Sequence, residues 1–235
     1  MTITAISRPS PNFGARAPGA AIDILLLHYT GMRSAEEALA RLTDPEAAVS
    51  AHYVIDEDGT VFALVAEEAR AWHAGAASWA GERDVNSRAV GIELVNPGHE
   101  FGYRDFPEVQ IAALIPLAAD ILARHPIPAP RVLGHSDVAP LRKQDPGERF
   151  PWQRLAAAGI GLYPPAGLAP GDAAPDPAAF ARDLARFGYG AADGTEAEAA
   201  VTAFRRHFRP DRLDGPLDGI DRARLDWLLS AQARG

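Results

Sequence analysis

The sequence predicts an α/β fold, with a central mixed β-sheet flanked by helices and a small C-terminal three-helix bundle. Three observations predict it. Across residues 21–158, short apolar runs of strand length alternate with stretches of helical periodicity. Residues 159–177 (GIGLYPPAGLAPGDAAPDP) then break the composition with Pro, Gly and Ala, as an extended linker does. Beyond them, residues 178–235 carry apolar positions at helical spacing only. The expected organisation is therefore an N-terminal arm (1–20), an α/β domain (21–158), a linker (159–177) and a helical domain (178–235).

Each element has a local reason. Residues 1–20 are rich in Pro, Gly, Ser and Arg and read as an extended arm with little regular structure. Residues 22–29 (IDILLLHY) form a continuous apolar run, as in a strand buried on both faces. Ser34 caps a helix, SAEEALARL, with acids in its first turn and Ala35, Ala38, Leu39 and Leu42 on one face. In residues 51–65 (AHYVIDEDGTVFALV) two β-rich runs flank Asp58-Gly59, a hairpin signal. Residues 89–95 (AVGIELV) predict a strand with Val90, Ile92 and Leu94 on one face, and Gly91, Glu93 and Val95 on the other. A long amphipathic helix follows over 106–124, with a bend expected at Pro116, and then a short strand at 131–134 (RVLG). Helices over 178–188, 196–208 and 221–233 place Phe180, Leu184, Phe187, Val201, Phe204, Phe208, Leu225, Leu228 and Leu229 at core spacing. Such a bundle is near the lower size limit for independent folding.

Composition narrows the function classes. A net charge of −8 over 235 residues argues against nucleic acid or an anionic membrane surface as partner. The absence of cysteine removes disulfides and thiolate metal sites. The first twenty residues lack the basic-then-apolar order of a signal peptide, and the run Ile24, Leu25, Leu26, Leu27 is too short to span a bilayer. The expectation is a cytoplasmic protein, or a periplasmic one if an export signal has been removed.

Ionisable groups at the ends of apolar strands mark the candidate chemistry, because burying an unpaired polar group costs a few kcal/mol. His28 ends the first long strand, Glu93 lies within a later one, and His135 follows a third. Two histidines and a carboxylate form a common catalytic zinc set with an open fourth position. Asp137, Asp145 and Glu93 are the candidate carboxylates. Asp137 stands only two residues from His135 and needs a tight bend to share an ion with it, whereas Pro140, Pro146 and Gly147 let the chain curl back at Asp145. Spacing therefore favours Asp145. The chain's single lysine, Lys143, stands between His135 and Asp145.

LLLHYTG, SAHYVIDEDG, RAWHAG, VGIELVNPG and GHSDVAPLRKQDPGERFPW, in this order across residues 22–152, resemble the zinc-dependent N-acetylmuramoyl-L-alanine amidases of the type-2 family. DLARFGYG and EAAVTAFRRHFRPDRLDGPLD resemble the small helical peptidoglycan-binding domain that accompanies such enzymes. The first resemblance implies Zn2+ held by His28, His135 and Asp145, with Glu93 and Lys143 catalytic. Glu93 would move the proton between water and the departing amine, and Lys143 would stabilise the oxyanion. Asp137 is left to support the loop. The implied substrates are peptidoglycan fragments (muropeptides), including 1,6-anhydromuropeptides of wall recycling; the alternative is a non-catalytic peptidoglycan-binding protein. His52 and His73 are expected to line the substrate cleft or to support it from behind, a structural role being the alternative; Trp79 is expected to bind substrate by stacking on a sugar or capping the pocket, with a hydrophobic lid residue as the alternative. Ala51 stands where phage and animal relatives carry a tyrosine, so mechanisms that use that tyrosine do not transfer.

Overall fold

The computed structural model describes residues 4–171, 174–190 and 194–234; of the expected arm, linker and helical domain, residues 1–3, 172–173, 191–193 and 235 lie outside it. The chain begins with β1 (Ile6–Ser7) and β2 (Phe13–Ala15), then β3 (Ile24–Tyr29) and α1 (Ala35–Thr43). There follow β4 (Tyr53–Ile55), β5 (Val61–Ala63), β6 (Ala69–Ala71), α2 (Val85–Arg88) and β7 (Ala89–Leu94). Next come α3 (Gly98–Phe101), α4 (Glu108–Arg124), β8 (Val132–Gly134), the single turn α5 (His135–Val138) and α6 (Trp152–Ala157). Three helices close the chain: α7 (Pro177–Phe187), α8 (Gly194–Phe208) and α9 (Gly219–Gln232).

The main sheet has the order β1-β5-β4-β7-β3-β8. Its centre is parallel, with β3 between β7 and β8, and the expected hairpin supplies the antiparallel pair β4 and β5. Local chemistry accounts for the boundaries. The Ser34 side chain accepts the Glu37 amide at the start of α1, and the hairpin turn closes with Gly59 N–H donating to the Asp56 carbonyl. Helix α4 begins two residues later than the periodicity suggests, because Pro107 takes the capping position, and Pro116 lies inside it.

Alternation on the central strands divides the core in two. Leu25, Leu27, Val90, Ile92, Leu94 and Val132 face α4 and α6, where Ile111, Leu114, Leu117 and Leu155 fill the layer. Ile24, Leu26, Ala89 and Leu133 face the other way and are continuous with Phe180, Leu184, Phe204, Phe208, Leu225 and Leu228 of the C-terminal helices. The three expected helices are therefore present, but their apolar faces complete the second layer on the sheet. A bundle this small gains more by covering an apolar sheet face than by closing on itself.

The N-terminal arm departs from expectation. β1 adds a parallel strand beside β5, and β2 pairs antiparallel with β6. Between and beyond them Ser10, Asn12 and Arg16 supply the anchors: the Ser10 hydroxyl donates to the Leu42 carbonyl, and the Asn12 amide to the carbonyls of Asp44 and Val49. Polar residues that read as loop composition are here donors satisfying carbonyls more than thirty positions away. No helix among the described residues is long and apolar enough to cross a membrane.

Candidate metal centre and catalytic cleft

Strand register assembles the site. In the parallel pairing of β3 with β7, His28 stands beside Glu93, and β8 is registered so that Leu27 stands beside Gly134, one residue before His135. Three neighbouring strands thus deliver a histidine, a glutamate and a second histidine to one end of the sheet, the usual place for sites in α/β domains. The loop after α5 then returns Asp145 to the same point. Ser136 N–H donates to the Asp145 carbonyl at 2.9 Å, and the following Asp145–Pro146 peptide is cis.

His28 Nδ1, His135 Nδ1 and Asp145 Oδ2 converge, each 3.0 Å from the other two, and all three residues are buried. The protonation pattern explains what such a triangle is for. His135 donates Nε2–H to the Ala74 carbonyl at 2.9 Å, which leaves Nδ1 as a bare lone pair. His28 Nε2 lies 3.1 Å from His73 Nδ1, so a proton held on that side frees His28 Nδ1 in the same way. Burial, with His135 next door, lowers the His28 imidazole to a pKa of about 4, so it is neutral at physiological pH. Burial raises a carboxyl group's pKa, but the flanking His135 and His28 hold Asp145 well below the usual carboxylate range. Two imidazole nitrogens and a carboxylate oxygen that converge on one point are a donor set that a single cation can bridge. The triad fits a divalent metal ion.

Glu93 lies on the wall of the same cleft, its Oε2 buried without a hydrogen-bond partner. Burial, and then the charge of Asp145, push its carboxyl well above the ordinary value, while Lys143 pulls it back. Lys143 lines the cleft as well, half-buried, and forms no ion pair among the described residues. The cleft encloses about 380 Å³ and also brings in Tyr29, His99 and Arg142. The Tyr29 hydroxyl donates to His99 Nδ1 at 2.9 Å, and His99 Nε2 reaches Glu148 at 3.1 Å, so the rim is a hydrogen-bonded chain. Arg142 donates to the carbonyls of Ala74 and Ala76, each at 2.8 Å. Tyr29 and Arg142 are direct neighbours of His28 and Lys143 in sequence, but nothing in the sequence distinguishes a cleft-facing neighbour from a solvated one.

Of the residues expected to line the cleft, His73 does so and touches His28. Gly91 is required beside it: a Cβ there would stand 2.6 Å from the His73 ring. His52 does not reach the cleft. It is wholly buried behind His73, accepting the Gly91 amide on Nδ1 at 2.9 Å and donating Nε2–H to the Ala69 carbonyl at 3.2 Å. Trp79 is also not brought to the cleft. It is 1% exposed, edge-on to Phe187 and Tyr189, and its ring occupies the space where a Cβ on Gly188 (φ +144°) would fall. The apolar faces of the C-terminal helices bury it, and the loop that carries it is an anchor for those helices. Ala51 is fully buried beside His52.

A mixed sheet that brings two imidazoles and a carboxylate together at one cleft, beside a buried glutamate, offers a single position that could hold a metal ion. Comparison with known proteins identifies the family. The sequence profile of the N-acetylmuramoyl-L-alanine amidases matches residues 18–148, and the chain belongs to that family. It is 39% identical over 238 residues to the N-acetylmuramoyl-L-alanine amidase AmiD of Escherichia coli (strain K12), covering 92% of this chain and 85% of AmiD. The structure of E. coli AmiD in complex with the substrate anhydro-N-acetylmuramic acid-L-Ala-D-gamma-Glu-L-Lys superimposes with a TM-score of 0.82 at 38% identity, over 94% of each chain. That of AmpDh3 from Pseudomonas aeruginosa, in complex with anhydromuramic pentapeptide, gives 0.79 at 32% identity over 95% of this chain and 97% of the other.

Proposed function

We propose that this chain is a zinc enzyme that hydrolyses the amide between the lactyl group of N-acetylmuramic acid and L-alanine, with soluble anhydromuropeptides among its substrates. The observation that carries the reading is the convergence of His28 Nδ1, His135 Nδ1 and Asp145 Oδ2, beside a glutamate that strand register places next to His28. A nitrogen, nitrogen and oxygen donor set without thiolate suits zinc. The substrate bound to AmiD and the anhydromuramic pentapeptide bound to AmpDh3 support the substrate class.

Zinc held there supplies a Lewis acid that polarises the scissile carbonyl and makes water nucleophilic near neutral pH. The rest falls to side chains. Glu93, isolated and with an elevated pKa, takes a proton from the attacking water, holds it in the low-dielectric cleft and passes it to the departing L-alanine nitrogen. An amide nitrogen leaves poorly unless protonated, so the same carboxyl serves as base and then acid. Lys143 lines the cleft with no ion pair among the described residues, and its ammonium stabilises the oxygen that becomes negative on attack. A compact charge on a flexible stem suits one oxygen better than a planar guanidinium does.

The test is release of free stem peptide from purified anhydromuropeptides by the metal-loaded chain. Expected is release that a chelator abolishes and zinc restores. Absence of any such release overturns the amidase reading. Strict preference for intact sacculi overturns the assignment to soluble fragments.

A further inference from the structure

We propose that Tyr189 and His207, both from the C-terminal helical segment, are positioning residues for the metal centre, acting through Asp137 on His135 and Asp145. The inference rests on the metal-centre reading of that triad and deepens it.

Asp137 is completely buried two residues beyond His135, and its carboxylate receives three donors. The Tyr189 hydroxyl donates to Oδ1 at 2.6 Å, while the Gly134 amide at 2.8 Å and His207 Nδ1 at 2.7 Å share Oδ2. The His207 ring is itself fixed, stacked on Trp152 of α6 at 3.7 Å and on Phe208 at 3.8 Å between centroids. The segment around Tyr189 is fixed in turn, because Ala80 N–H donates to the Gly188 carbonyl at 2.8 Å and Trp79 packs beneath it.

The direction of influence follows from what Asp137 holds. The Gly134 amide is the first donor of the single turn α5, and Asp137 caps it from within the turn. That turn carries His135 as its first residue and grips Asp145 through the Ser136 amide. A rotation of α5 therefore shifts two of the three donors together, whereas His28 sits rigidly on β3. A buried carboxylate is an expensive way to fill space, and an apolar residue of the same size would pack at lower cost. Three directional bonds, however, set the rotation of a short turn as packing cannot. Two of those three come from residues 52 and 70 positions away. In this reading the C-terminal segment is part of the active-site scaffold.

The experiment uses full-length Tyr189→Phe, His207→Phe and His207→Asn variants loaded with zinc. It measures the rate of zinc release to excess chelator, the thermal unfolding midpoint, and kcat and KM on an anhydromuropeptide. Loss of an outer hydrogen bond to a metal site typically weakens metal binding by about 10- to 100-fold, so Tyr189→Phe and His207→Phe should release zinc faster by about that range. In both, kcat should fall while KM changes little. His207→Asn loses the stacking ring but returns an N–H to the Nδ1 position, and should restore slow release. Zinc release indistinguishable from wild type in both phenylalanine variants would overturn the proposal. So would equal release from His207→Asn and His207→Phe, the outcome expected if the ring acts by packing alone. Zinc release is read without substrate, so an inactive wild type would sink the amidase assignment while leaving this test in force.

Discussion

Glu93 and Lys143 line the same cleft, and the proposed mechanism gives them separable duties. Glu93 contributes no atom to the converging triad, so Glu93→Ala should keep its zinc while losing turnover by about 100- to 10,000-fold, the usual contribution of a general acid–base. Metal analysis of the purified variant beside His28→Ala checks this, and zinc content as low as that of His28→Ala would make Glu93 a ligand instead. Lys143→Met should lose about 100- to 1,000-fold in kcat with a smaller change in KM, because the oxyanion exists only after attack. At this scale the sequence was most informative. His28, Glu93 and His135 each interrupt or end an apolar run, where a polar side chain demands a reason, and loop spacing leaned towards Asp145. His52 and Trp79 were left open for the opposite reason: a histidine or tryptophan beside a motif looks the same in sequence whether its ring meets the cleft or the core.

Short elements carry the architecture that the sequence left ambiguous. α5 is one helical turn, too brief for any periodicity to reveal, yet it sets His135 and grips Asp145. The Trp79 loop and the Phe187-Gly188-Tyr189 stretch form a matched pair, since the Trp79 ring lies where a Gly188 side chain would be. Gly188→Ala should therefore destabilise strongly, and Trp79→Ala should cost about 3–5 kcal/mol, as truncation of a buried large aromatic does. Chemical denaturation checks both. If Trp79 were a sugar-stacking residue at the cleft, Trp79→Ala would instead raise KM and leave stability near wild type. The long elements α1, α4, β3 and β7 were legible because their capping residues and alternation repeat within a few positions.

Over the whole molecule, burial of a neutral histidine adds to the loss of stability in acid. His52, wholly enclosed, has its pKa lowered by burial from 6.5 to about 4, against a weaker opposing bond to Ala69. Between those values the unfolded chain binds a proton that the folded chain refuses, so stability is lost as pH falls from 6.5 towards 4. Full development of this one linkage is worth about 3 kcal/mol. Urea unfolding of metal-free protein across that interval should show the decline, with a shallower slope in His52→Asn; an unchanged slope would mean His52 is not the group refusing the proton. What the sequence determined by itself was the central strands β3, β4, β5, β7 and β8, the long helices and the candidate chemistry at the strand ends, because alternation, capping and turn residues act over a few positions. Only the tertiary structure decided that the arm joins the sheet, that Trp79 is buried under the C-terminal helices, and that Tyr189 and His207 hold Asp137. Those contacts join residues tens of positions apart, and they exist because an apolar sheet face and a buried carboxylate each had to be satisfied by whatever packing brought to them.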